Sequence, residues 1–63
     1  MNVKKAREAT GFTQVKVASE VGISDRYYQE IEAGKSIPNV VTAQRIAKAL
    51  GKTVEELFPI ELA

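Results

Sequence analysis

At 63 residues the chain has room for one compact core and no second domain. It contains neither Cys nor His, which excludes a disulfide framework, a thiolate nucleophile, an imidazole base and the usual zinc or haem ligand sets. A net charge of +1 hides a segregation: residues 1–52 hold all nine basic side chains against five acidic ones, a surplus of +4, whereas residues 53–63 hold only the other three acidic ones.

Apolar residues recur at helical spacing throughout, and no window sustains the alternation of a strand, so the expected fold is all-α, a bundle of five short helices filling residues 1–63 as a single domain. The first helix is predicted over 2–10, with Val3, Ala6 and Ala9 or Thr10 at intervals of three or four and Gly11 as its stop. The second, 13–21, opens on the Thr13 hydroxyl, turns Val17, Ala18 and Val21 inward and ends at Gly22. The third, 24–33, is capped by Ser24, buries Tyr28, Ile31 and part of Tyr27, and closes at Gly34.

Pro38 keeps Ile37 out of a helix, and Asn39 can cap the fourth helix, 40–50. Its buried face is expected to hold Val40, Ala43, Ile46, Ala47 and Leu50. Thr53 and Glu56 form a Thr-x-x-Glu capping box for a last helix, 53–58, ended by Pro59. The core predicted from these faces is Ala6, Val17, Ala18, Val21, Tyr28, Ile31, Val40, Ile46, Ala47, Leu50, Leu57 and Phe58.

The second and third helices are separated by only Gly22, Ile23 and Ser24. So short a connection forces a steep crossing: Gly22 permits a positive φ at the corner, Ile23 can plug the angle, and Ala18 is small enough for close approach. With Tyr28 and Ile31 turned inward, the third helix is left presenting Asp25, Arg26, Gln29 and Glu30 to solvent, which makes these four the candidate readers.

These residues resemble the helix-turn-helix family of phage Cro and lambda-type repressors and their small bacterial relatives. The resemblance covers nearly the whole chain. It is carried by Arg7, Thr13-Gln14, Ala18, Val21-Gly22-Ile23-Ser24, Ile31-Glu32, Gly34-Lys35, Pro38 and the run from Ile46 to Gly51. It implies a regulator that binds a double-stranded DNA operator, typically a repressor, and lays residues 24–33 in the major groove.

By that resemblance Asp25, Arg26, Tyr27 and Glu30 match positions that reach base edges, Arg26 first, since its planar fork can bond guanine O6 and N7 together. Asp25 and Glu30 stand where well-known relatives carry neutral amides. Arg26 and Glu30 are also i, i+4 neighbours, so a simple surface ion pair is the competing reading. Thr13, Gln14 and Ser24, with Lys35, Ser36 and Asn39 in the following loop, match phosphate-binding positions. A helix N-terminus favours such anions independently, through free N–H groups and a partial positive charge. Arg7 and Glu32 match an internal ion pair tying the first helix to the third.

No enzyme is expected, because the adjacent carboxylates Glu55 and Glu56 lie in a capping box without a nucleophile, base or metal cluster. Neither a cofactor nor a small-molecule substrate is expected. Because the chain has no apolar span and a polar start, it is expected to be cytoplasmic and off the membrane. A homodimer is expected, and Leu57, Phe58, Pro59, Ile60 and Leu62 offer an apolar strip for it at residues 57–62; the equally weighted alternative is that Leu57 and Phe58 finish the monomer core. The competing functional class is a protein-binding module on the same scaffold. Within the DNA-binding class, an antitoxin or a restriction-system controller is as open as a phage switch protein.

Overall fold

The computed structural model describes residues 3–58. Five helices follow one another: α1 (Val3–Thr10), α2 (Gln14–Val21), α3 (Asp25–Glu32), α4 (Val40–Leu50) and α5 (Val54–Leu57). No strand occurs among the described residues. Four of the starts are fixed by side chains that satisfy otherwise orphaned backbone N–H groups. The Thr13 hydroxyl accepts from Lys16 N, Ser24 from Tyr27 N and Asn39 Oδ1 from Thr42 N, while Thr53 and Glu56 complete a reciprocal capping box.

The corner between α2 and α3 forms as the local sequence requires. Gly22 has φ 88°, a left-handed conformation costly for any residue with a Cβ. Its N–H and that of Ile23 both return to the Ala18 carbonyl, at 2.8 and 3.0 Å, which closes the turn. Ala18 is completely buried there, and Ile23 packs against the core from the corner. Helix α2 therefore contacts both α3 and α4, and α3 also contacts α1.

The core is aliphatic around one aromatic: Val17, Ala18, Tyr28, Ile46 and Leu57 are essentially inaccessible, with Val3, Val21, Ile31, Ala47 and Leu50 completing it. Ala6 and Phe58 are partly buried against that cluster.

One predicted core residue is corrected. Val40 is 71% exposed, whereas Ala43, one turn further on, is buried. Asn39 is the cap, so Val40 occupies the first helical position, beyond the reach of the helices that cover Ala43, Ile46, Ala47 and Leu50. Spacing identifies a face of a helix but not where the neighbour covering it stops. Ala9 and Thr10 are likewise exposed, and the inner side of α1 runs from Val3 to Ala6 and Arg7.

Candidate nucleic-acid interface

Arg7 on α1 reaches across to α3. Its Nε donates to Glu32 Oε2 at 2.7 Å and its Nη2 to Oε1 at 3.3 Å, a two-pronged pair whose side chains are 12% and 4% exposed. The remaining prong, Nη1, donates to the Phe12 carbonyl at 2.9 Å and fixes the α1–α2 loop. Gln14, the first residue of α2, donates from Nε2 to Glu32 Oε1 at 2.9 Å. One carboxylate thus gathers α1, α2 and α3.

Burial by itself pushes the Glu32 carboxyl up, but the groups facing it, Arg7 first, then Tyr28 and Gln14, outweigh this and hold it below its ordinary value. The Arg7 guanidinium is raised in turn, chiefly by its hydrogen bond to Glu32. The Tyr28 hydroxyl is buried beside the same carboxylate without completing a well-formed hydrogen bond. Burial first, and Glu32 second, push its ionisation far above the ordinary tyrosine value.

With its inner side pinned in this way, α3 turns the other side to solvent. Asp25, Arg26 and Gln29 are exposed there, and the Arg26 side chain is 89% accessible. Arg26 Nε meets Glu30 Oε2 at 3.4 Å, a long contact at the surface. Glu30 is more tightly engaged than its partner: Oε1 accepts from the Ser36 hydroxyl at 3.2 Å, and its carbonyl accepts from Lys35 N and Ser36 N. Both carboxylate oxygens of Glu30 are therefore occupied within the chain. Tyr27 is partly buried and leans on the core. Gln29 lines one shallow surface depression with Arg26, Glu30, Ala33 and Lys35. The spacing on the helix put Gln29 among the candidate readers, whereas the resemblance gave it no role.

At the N-terminus of α2, the first amides have no acceptor inside the helix, and the Thr13 hydroxyl accepts from that of Lys16. One amide hydrogen of the Gln14 side chain is already committed to Glu32, leaving the other. Lys16 is occupied by an exposed pair with Glu20 at 3.2 Å and by the Phe12 ring at 5.8 Å. Ser24 and Asn39 are exposed and serve as caps, and Lys35 is exposed, whereas Ser36 is half-buried through its bond to Glu30. The expected phosphate-binding residues thus fall into two groups, Thr13, Gln14 and Ser24 around α2 and the corner, and Lys35, Ser36 and Asn39 in the loop after α3.

Of the residues expected to pair two chains, Leu57 is 2% exposed and completes the monomer core, which removes it from any surface. Phe58 is partly buried, and residues 59–62 lie outside the described residues. Among the described residues no helix is long and apolar enough to cross a membrane, and no cluster of three or more His, Cys, Asp or Glu could hold a metal ion.

Residues 3–57 match the family model described as Helix-turn-helix. The chain is 32% identical over 60 residues to an uncharacterized HTH-type transcriptional regulator of Methanothermobacter thermautotrophicus, covering 94% of this chain and 87% of the relative. It is 34% identical over 55 residues to the control protein C.MunI of a Mycoplasma species, covering 87% and 74%. Over 51 residues it is 37% identical to the cryptic phage CTXphi transcriptional repressor RstR of Vibrio cholerae, covering 81% of this chain and 46% of that one.

Proposed function

This chain belongs to the helix-turn-helix family, and we propose that it is a sequence-specific, double-stranded-DNA-binding transcriptional regulator that reads the major groove with α3. The observation that carries this reading is the division of α3: Tyr28, Ile31 and Glu32 are fixed inward, while Asp25, Arg26 and Gln29 are exposed on the outer side of the helix. A reading helix needs both properties, since base discrimination requires side chains held in register.

Arg26 is the principal reader, bidentate to guanine. Its contact with Glu30 is long and exposed, so exchanging it for a base edge costs little. Asp25 suits a cytosine amino group and Gln29 an adenine edge. Tyr27, leaning on the core, contributes through its outer edge. Glu30, with both oxygens occupied, orients Arg26 and the Ser36 loop. The amides around Thr13 and Gln14, with Ser24, grip one phosphate strand, and Lys35, with Ser36 and Asn39, lies along the other. The relatives named as a control protein and as a phage transcriptional repressor favour a repressor or controller. No catalytic role, cofactor or small-molecule substrate belongs to this reading, and the site of action is the cytoplasm.

Selection of bound duplexes from random sequence, followed by titration of the winner against salt, tests it. A recurring motif and an affinity that falls steeply with salt are expected. A chain that enriches no motif and binds duplex no better than an unrelated acidic polymer would instead be a protein-binding module.

A further inference from the structure

Helix α3 carries three carboxylates, and two of them are engaged within the chain. Glu32 is held by Arg7 and Gln14, and Glu30 by Arg26 and Ser36. Asp25 is different. It is exposed, it follows the Ser24 cap as the first residue of the helix, and among the described residues no hydrogen bond or ion pair engages it. Arg26 does not neutralise it, because adjacent residues on a helix do not face each other and the Arg26 guanidinium lies toward Glu30, one turn on. The Asp25 side chain is short, so a surface that meets the N-terminal end of α3 meets this carboxylate too.

On DNA such a group must find a donor. An ionised carboxylate only accepts hydrogen bonds, and the surrounding phosphates repel it. The base edges of the major groove offer two kinds of donor, the cytosine N4 and adenine N6 amino groups, whereas guanine and thymine present acceptors there. Adenine sets its N7 acceptor beside the amino group, against the second carboxylate oxygen, while cytosine sets a C–H there, so cytosine fits better. In a paired cytosine one N4 hydrogen is held by guanine and the other points into the groove. A methyl group on N4 takes the place of that second hydrogen.

We infer that Asp25 fixes one cytosine of the target through its amino group, and that methylation of that amino nitrogen weakens binding. The inference rests on the DNA-binding reading and goes beyond it, since the chain then responds to the chemical state of its site as well as to its sequence. Asp25 also acts by exclusion, because a guanine or thymine opposite it leaves the carboxylate without a donor among phosphates. It therefore lowers affinity for random duplex and raises selectivity for the right one.

The test takes the whole chain and the duplex enriched from random sequence, with each cytosine of the motif replaced in turn by N4-methylcytosine or by 5-methylcytosine. At one position N4-methylation is expected to weaken the wild type about tenfold or more, while 5-methylation, which leaves the amino hydrogen in place, has little effect. In Asp25→Asn, an exchange at an exposed position that preserves the fold, the side chain can donate as well as accept. That variant is expected to lose the N4 sensitivity and the cytosine preference, and to bind random duplex more tightly at low salt. N4-methylation without effect at any position, equal losses from the two methyl positions, or a loss that Asp25→Asn keeps would overturn the inference and leave the DNA-binding reading intact. The same holds if Asp25→Asn lowers the melting temperature but leaves base preference unchanged, for Asp25 is then a helix-end charge only. A chain that enriches no motif overturns the reading itself, and this inference with it.

Discussion

The side chain that opens α2 hydrogen-bonds the one that closes α3: Gln14 Nε2 donates to Glu32 Oε1 at 2.9 Å, across eighteen positions of sequence. Because Arg7 holds the other oxygen at 2.7 Å, any movement of α3 relative to α2 must break a contact to a nearly buried carboxylate. The N-terminal end of α2 and the outer side of α3 are thereby fixed to each other.

Removing one member of the Arg7–Glu32 pair should be far more damaging than removing both. Glu32→Ala strands a mostly buried guanidinium and is expected to cost about 3 kcal/mol, a large share of the roughly 5 kcal/mol that a domain of this size commands. Arg7→Met with Glu32→Leu should recover at least a third of that loss. Urea denaturation of the two singles and the double checks this, and a double variant whose loss equals the sum of the two single losses would show that the pair is not coupled.

The depressed Glu32 carboxyl makes the fold acid-sensitive in a defined window. The unfolded chain binds that proton near the ordinary value of 4.5, while the folded chain resists until lower pH. Stability from this group is complete above that value and is lost as pH falls from it through the folded value. Thermal scans across the acid range should show the decline in the wild type and a flatter profile in Glu32→Gln, whose starting stability is lower.

Tyr28 should govern the alkaline side. Its hydroxyl holds its proton in the fold well past the ordinary value of 10, so this contribution is intact below 10 and drains away as pH climbs above it. Tyr28→Phe removes a buried hydroxyl that completes no good hydrogen bond. It should therefore change stability at neutral pH by no more than about 1 kcal/mol while extending the alkaline limit. Denaturation midpoints of both proteins, followed as pH is raised, test this directly.

Arg26→Ala and Lys35→Ala should fail in different ways on DNA. Loss of the Arg26 fork should cost about 1–3 kcal/mol on the selected site, with little change on random duplex and almost none in folding stability, since its pair with Glu30 is long and exposed. Lys35→Ala should weaken all duplexes alike and lower the salt slope by about one counterion. Fluorescence anisotropy on cognate and scrambled duplexes at several salt concentrations separates the two. If both variants lost affinity uniformly, the assigned roles would be wrong.

Much of this was legible in the chain because its signals are local. Thr13, Ser24, Asn39 and Thr53 each sit beside the amides they cap, and the helix starts follow from them. Val40 misled because periodicity states which side of α4 faces inward and says nothing of where the covering helices end. The contact of Gln14 with Glu32 depends on how helices lie in space, and no spacing rule reports that, whereas the pair of Arg26 with Glu30 follows from their i, i+4 spacing. The Arg7–Glu32 pair came from family resemblance alone, for opposite charges twenty-five positions apart carry no signal of their own.

The division of α3 also bears on how such a protein changes over generations. Residues that keep the helix in place, Tyr28, Ile31 and Glu32, are different from those that face outward, Asp25, Arg26 and Gln29. Exchanges at exposed helical positions usually shift stability by less than about 0.5 kcal/mol. A new target sequence can thus be acquired by drift through several substitutions, without a compensating change elsewhere. If the outer side of α3 is what meets DNA, one scaffold can diverge into many regulators of unlike specificity, because Asp25, Arg26 and Gln29 are nearly free of folding duties.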